Sequence, residues 1–259
     1  MDLNLQGRTA LVTGASRGIG LAVAKTLGAE GCHLHLAARS EQGLRAAADA
    51  IAGAHGVKVT IHPGDLSLPG TVASLGEACA EMDILVNNAG DIPPGTLESI
   101  PSDAWRRSWD LKVFGYVDLT RAILPRMQAR KNGVVVNVIG VAGELANPNY
   151  IAGCMGNISL MMFTECLGGE SIRHGVRVVG VNPGPTMSDR HLAHVKARAE
   201  KQLGDAERYL ELEALNPSGR SSTVEEIADA VAFLASDRAA HISGTTLRVD
   251  GGVRAHYWR

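Results

Sequence analysis

The sequence predicts an α/β protein, a parallel sheet with helices on both faces. Short β-branched or aliphatic runs alternate with longer amphipathic stretches along the chain, which is the pattern of right-handed βαβ units. A glycine-rich turn joins the first such run to the first such stretch. The 259 residues are 45% hydrophobic and 20% charged, enough apolar material for a substantial core.

In chain order, the strand of Thr9–Thr13 leads to a helix over Gly18–Leu27, and His33–Ala37 to Gln42–Ile51. Val57–Ile61 then leads to Pro69–Cys79, Ile84–Val86 to one long helix over Asp103–Met127, and Val134–Val138 to Ile151–Leu167. Val176–Val181 is followed by a helix at Val224–Leu234 and a last strand at Thr245–Val249. Each strand is a short apolar run and each helix a longer stretch with helical periodicity. No repeat, low-complexity tract or linker interrupts them, so residues 1–259 read as one domain.

One segment breaks the rhythm. Met187–Leu215 is a charged helical excursion between Asn182-Pro183-Gly184-Pro185 and Asn216-Pro217-Ser218-Gly219. Insertions at the carboxyl end of a parallel sheet tend to cover a ligand, so 187–215 is the expected substrate lid. Met187, His191, His194, Val195 and Tyr209 would face the substrate; a plain surface hairpin is the alternative.

Composition removes several function classes. The formal net charge is -2 and no basic run occurs, so no nucleic-acid or anionic-membrane partner is expected. No apolar run reads as a membrane span. The start, MDLNLQGR, lacks the basic and apolar regions of a secretion signal, and a cytoplasmic location is expected. Cys32, Cys79, Cys154 and Cys166 form no CxxC pair and read as scattered reduced thiols. Cys32-His33-Leu34-His35 puts both histidines on one strand face, but the sequence offers no further ligands, so no metal site is expected.

The turn Thr13-Gly14-Ala15-Ser16-Arg17-Gly18-Ile19-Gly20 follows a strand and opens a helix. Its glycines permit a tight turn and close approach of backbone to a pyrophosphate, which the free N–H groups of the helix start would face. With TGxxxGIG here, Asp65-Leu66, Asn87-Asn88-Ala89-Gly90, Asn182-Pro183-Gly184 and the ending SGTTLRVDGG, the chain resembles the short-chain dehydrogenase/reductase family over nearly its whole length. The resemblance implies a single-domain, doubly wound Rossmann-type sheet of seven parallel strands and a nicotinamide cofactor. It further implies hydride transfer between a small-molecule carbonyl and an alcohol, and a homodimer or homotetramer. Assembly would use the two long helices and the last strand, and the tail Ala255-His256-Tyr257-Trp258-Arg259 could pack on a neighbouring subunit.

By the same resemblance, Gly14, Ser16, Arg17, Gly18, Ile19 and Gly20 form the phosphate turn, and Asp65 and Leu66 contact adenine. Asn88, Ala89 and Gly90 line the ribose and the path to the nicotinamide. Pro183, Gly184 and Thr186 border the nicotinamide, and Ser188 could bond its carboxamide or a phosphate. The second strand ends Ala37-Ala38-Arg39, with Ala38 where an NAD site would place a carboxylate. Arg39 and Arg17 can instead clamp a 2′-phosphate, which favours NADP over NAD.

The family's proton-transfer set is expected at other residues. In the family, a tyrosine exchanges the proton, a lysine four residues on lowers its pKa, an upstream serine orients the substrate oxygen, and an asparagine supports the lysine. Register from Leu167-Gly168 and Asn182-Pro183-Gly184 puts the tyrosine slot at Gly153, the lysine slot at Asn157 and the serine slot at Gly140. The asparagine slot falls on Lys112, so lysine and asparagine read as exchanged. Lys112 would supply the charge, Asn157 would hold its water network, and Tyr150 would donate the proton into the space left by the glycines. Glu144 is a further proton group, expected to be exposed. The alternative is a nucleotide-binding regulatory or scaffold protein without catalysis, and a third option is proton transfer or dehydration assisted by the cofactor.

Overall fold

The computed structural model describes residues 1–256. The strands are β1 (Thr9–Thr13), β2 (His33–Ala38), β3 (Val59–Pro63), β4 (Ile84–Asn87), β5 (Gly133–Val138), β6 (Val176–Pro183), β7 (Thr186–Met187), β8 (Ser222–Thr223) and β9 (Thr246–Val249). The helices are α1 (Gly18–Ala29), α2 (Glu41–His55), α3 (Pro69–Ala78), α4 (Ser102–Trp109), α5 (Gly115–Arg130), α6 (Ile151–Ser171), α7 (Asp189–Leu203), α8 (Tyr209–Glu213), α9 (Val224–Ala235) and α10 (Val253–His256).

Seven strands form one sheet in the order β3-β2-β1-β4-β5-β6-β9, all pairs parallel. The central strands β1, β4, β5 and β6 are near-continuous apolar runs buried on both faces, while the edge strands β3 and β9 are partly exposed. One core packs α1, α2 and α9 against the sheet through Val23, Leu27, Leu44, Ile51 and Val231. The other packs α3 and α5 through Val72, Leu75, Leu119 and Ile123. The strand order reverses between β1 and β4, and a parallel sheet opens its ligand crevice at that point.

Several boundaries differ from expectation. β3 begins at Val59 rather than Val57 and continues to Pro63, which pairs with Ala38. Proline is tolerated there because β3 is the sheet edge. The single helix expected over Asp103–Met127 is divided into α4, a π-helical turn at Asp110–Phe114, and α5. α6 runs four residues beyond Leu167, to Ser171.

The helical stretch Ile151–His174 has the length and mean hydropathy, 1.2, of a membrane span, which the sequence reading did not allow for. Here it lies on the sheet and buries Gly156, Asn157, Leu160, Thr164 and Gly168. Tyr257, Trp258 and Arg259 of the tail lie outside the described residues.

Candidate active site

β1 ends in a turn that only glycine fits at two places. Gly14 has φ +68° and Gly18 φ +56°, in the left-handed region. A Cβ at Gly20 would lie 2.3 Å from the Gly14 carbonyl oxygen, so the close packing of α1 on the turn also needs glycine. No side chain caps α1 at Arg17, which leaves its first N–H groups free for an anion. Ile19 lies half-buried against the core, and Ser16 packs on Gly43 of α2. Thr13 joins the turn to the end of β4: its hydroxyl accepts from the Asn88 and Ala89 N–H groups at 2.9 and 3.0 Å, and the Asn88 amide donates to its carbonyl. The cradle therefore fits a pyrophosphate, with glycine where a side chain would fill it.

At the end expected to take adenosine, the Ser67 N–H and hydroxyl donate to the Asp65 carboxylate at 3.0 and 2.8 Å. The Ser67 N–H holds the Asp65 pKa below its ordinary value, and the Arg39 charge acts in the same direction. Leu66 and Ala89 line one small hollow with Thr13 and Val72. Arg17 and Arg39 are exposed, and neither has an ion-pair partner among the described residues.

At the other end of the crevice, β6 delivers Pro183, and the Gly184 N–H donates to the Val249 carbonyl at 3.0 Å. A Cβ on Gly184 would lie 2.8 Å from the Asp250 backbone. The Thr186 hydroxyl is bonded to the Gly184 carbonyl and to Ser222, both at 3.0 Å. Ser188 caps α7 by accepting from the His191 N–H, and its Cβ lies 3.8 Å from the Cβ position of Gly18. The excursion thus starts directly over the glycine turn. Both hydroxyls already have intramolecular partners, so a ligand would meet them as shared groups.

The excursion is α7, a short 3-10 turn at Ala206–Arg208, and α8. It is latched by the buried Glu213, which accepts from the Ser221 N–H at 2.9 Å and pairs with His191 at 2.9 Å. Burial raises the Glu213 pKa, but bonds from Ser221 and His191 outweigh it and leave the carboxyl below its ordinary value. Arg190 ties α7 to the loop after β4, with Nη1 3.1 Å from Asp91 and 3.5 Å from the Gly90 carbonyl.

Three residues expected to carry chemistry are Lys112, Asn157 and Tyr150. Lys112 stands on the π-helical turn, a feature frequent at functional sites. Its stem passes Gly90, where a Cβ would lie 2.8 Å from Lys112 Cδ. Its Nζ donates to the Ile139 carbonyl at 2.6 Å. Burial, helped by the nearby Arg190 charge, lowers its pKa from 10.5 to about 8. Asn157 is buried on α6, its Nδ2 3.0 Å from the Cβ position of Gly140, and its Oδ1 has no hydrogen-bond partner. Lys112 and Asn157 therefore both meet the Ile139-Gly140 turn.

Tyr150 enters α6 as its N-cap residue. Its ring covers Gly153 so closely that a Cβ there would lie 2.1 Å from Cε1 and Cζ. Burial raises the Tyr150 pKa, while the neighbouring Arg190 charge pulls it back. Glu144 is not exposed as expected: it accepts from Asn182 at 2.9 Å and pairs with Arg248 at 2.8 Å.

Sequence reasoning missed Arg190, which lies close enough to perturb both Lys112 and Tyr150. The expected substrate-facing set takes only apolar, imidazole and phenol side chains of 187–215 and none of its three arginines, Arg190, Arg198 and Arg208. It also missed the surroundings of His35. His33 accepts from the Lys58 N–H, but His35 meets His62 and Cys79, from β3 and the end of α3. The expectation that no further ligands exist fails because both partners lie far away in sequence.

The family described as "Enoyl-(Acyl carrier protein) reductase" matches residues 14–254. The 3-oxoacyl-[acyl-carrier-protein] reductase FabG of Escherichia coli (strain K12) is 35% identical over 255 residues, 97% of this chain and 99% of that protein. Nodulation protein G of Rhizobium meliloti (strain 1021) is 33% identical over 253 residues, 96% of this chain and 98% of that one. Among solved structures, L-sorbose reductase from Gluconobacter frateurii, complexed with NADPH and L-sorbose, has a TM-score of 0.92 at 31% identity. That match covers 98% of this chain and 99% of the reductase.

Proposed function

The chain belongs to the short-chain dehydrogenase/reductase family, and we propose that it is an NADP(H)-dependent oxidoreductase acting on a carbonyl/alcohol pair. Bound NADPH would supply the hydride. NADP rather than NAD is supported by Ala38 at the end of β2, by the unpaired guanidinium groups of Arg17 and Arg39 near it, and by the NADPH in the sorbose reductase structure. The glycine turn with Gly14, Ser16, Gly18, Ile19 and Gly20 would take the pyrophosphate. Asp65, Leu66, Asn88, Ala89 and Gly90 would line the adenosine and ribose, and Pro183, Gly184, Thr186 and Ser188 the nicotinamide. Residues 187–215 would act as the lid over a small-molecule substrate.

The finer reading is that the proton is handled by a rearranged set. Its carrying observation is the Tyr150 ring in the space that a side chain at 153 would fill. Tyr150 is then the donor to the substrate oxygen, and Arg190 supplies the nearby positive charge. Lys112, with a pKa of about 8, keeps an ammonium beside the Ile139-Gly140 turn and can return a proton near neutral pH. The orphaned Oδ1 of Asn157 would hold a water between that turn and Lys112.

Exposed Phe114, Met155, Ile158 and Met162 on the π-turn and α6 support a homodimer or homotetramer through these helices. A cytoplasmic setting suits an enzyme drawing on the NADPH pool. The test is incubation of the protein with NADPH deuterated at nicotinamide C4 and a metabolite extract, read by mass spectrometry. Deuterium in a discrete product, reduced at least about 100-fold in Tyr150→Phe, is expected. No label from protein shown to bind NADPH would make it a nucleotide-binding regulator. Full label in Tyr150→Phe would remove Tyr150 as donor.

A further inference from the structure

Apart from the crevice, one cluster of metal-binding groups stands on the α3 face of the sheet edge. His35 on β2 and His62 on β3 are diagonal neighbours there, since Ala37 pairs with His62 and successive side chains alternate between faces. Cys79, fully buried, follows the last turn of α3 and points at both rings. The three ligand atoms are His35 Nδ1, His62 Nε2 and Cys79 Sγ, all within 4.8 Å of one another.

We propose that His35, His62 and Cys79 bind one divalent cation of the zinc class. The spacing is close to what such an ion imposes. A tetrahedral zinc with bonds of about 2.05 Å to nitrogen and about 2.3 Å to sulfur sets N···N at about 3.3 Å and N···S at about 3.6 Å. The structure has N···S separations of 3.5 and 3.7 Å and an N···N separation of 2.9 Å. Sulfur therefore needs almost no movement. The rings lie 16° apart in plane with centroids 5.1 Å apart, and without the ion their facing nitrogens share one hydrogen bond whose proton moves to the outer nitrogen on loading. Loading turns both rings toward the sulfur side and opens N···N by about 0.4 Å.

Mixed thiolate and imidazole ligation selects zinc-like ions over magnesium or calcium. The half-buried rings leave a solvent side for water as the fourth ligand. On binding, the Cys79 thiol releases one proton and both imidazoles remain neutral, His35 with its proton on Nε2 and His62 with its proton on Nδ1. The ion would pin the end of α3 to the sheet's edge strand. The site is independent of the cofactor reading, because none of its three groups belongs to the crevice.

The test uses the full, untagged chain freed of metal with a chelator and titrated with Co²⁺. One equivalent should produce a thiolate-to-cobalt charge-transfer band and the intense visible bands of tetrahedral cobalt. Cys79→Ser should lose the charge-transfer band. His62→Gln should weaken binding by more than the roughly 10–100-fold that loss of an outer-shell partner costs. Zinc should displace the cobalt and, at about 100 times its Kd, raise Tm by about 5–10 °C. Wild-type protein without a charge-transfer band overturns the proposal. So does an undiminished band in Cys79→Ser, which would place the ion on another cysteine. Should Cys79→Ser fail to fold by circular dichroism, His62→Gln at its half-exposed position decides: unchanged tetrahedral bands there also overturn it.

Discussion

Lys112→Met isolates the stability cost of burying the Lys112 ammonium. Burial lowers the Lys112 pKa from 10.5 to about 8, so the folded protein holds this proton less tightly than the unfolded chain. That difference corresponds to roughly 3 kcal/mol against folding wherever both states are protonated, that is, below about pH 8. The sign follows from proton counts. Between about pH 8 and 10.5 the unfolded chain binds more protons, so this contribution to stability rises with pH. At pH 7 the cost is about 3 kcal/mol, and by pH 10 it has fallen to about 1 kcal/mol. Methionine keeps an unbranched stem beside Gly90 and carries no charge, but it gives up the bond to the Ile139 carbonyl. Relative to Lys112→Met, the wild type should therefore gain about 2 kcal/mol from pH 7 to pH 10, or roughly 4–8 °C in Tm. Urea melts of both proteins at the two pH values measure this. A gap that does not change with pH would refute a desolvated ammonium at this position.

Four further outcomes follow from single contacts. Arg17→Ala and Arg39→Ala should each weaken NADPH binding by roughly 10–150-fold, the worth of a charge-assisted hydrogen bond, and leave NADH binding unchanged in fluorescence titration. Gly20→Ala places a methyl 2.3 Å from the Gly14 carbonyl oxygen and should cost about 1–3 kcal/mol in urea unfolding, with loss of NADPH binding. Glu213 has a folded pKa below its ordinary 4.5, so its contribution is complete above about pH 4.5 and disappears as pH falls through the folded value; Glu213→Gln should flatten that acid limb in Tm-versus-pH scans. Gly153→Ala should destabilise by about 1–3 kcal/mol despite the higher helix propensity of alanine, and that loss should vanish in a Tyr150→Ala background in a double-mutant cycle.

The fold was legible because its signals are local and repeated. Each central strand of the main sheet is a short apolar run buried on both faces, and the helices that cover it supply one apolar side each. The phosphate turn was legible for a related reason: Gly14 and Gly18 need left-handed backbone, and Gly20 needs the absence of a Cβ. The division of the α4–α5 stretch was not legible. A π-helical turn adds one residue without breaking the apolar period for long, and its sequence, DLKVF, contains neither proline nor glycine. That turn matters because it sets the direction in which Lys112 leaves the helix.

The rest of the site depends on contacts between distant segments. The approach of Arg190 to Lys112 and Tyr150 and the meeting of His35, His62 and Cys79 are made by tertiary packing, and sequence spacing carries no trace of either. Tyr150 is the instructive intermediate case. Residues three apart on a helix are neighbours, so a side chain at the N-cap can lie over the third residue of the first turn. The space over Gly153 is therefore a local consequence of glycine there, and the sequence shows both residues. What the sequence lacks is a reason for the ring to lie inward. The structure supplies one: Ile92, Ile100 and Ala152, with the two tryptophans of α4, form an apolar cluster against which the ring packs. Turning the ring outward would expose that cluster and leave a void over Gly153. The same burial that fixes the ring also raises the pKa of its hydroxyl, so the phenol stays protonated at neutral pH.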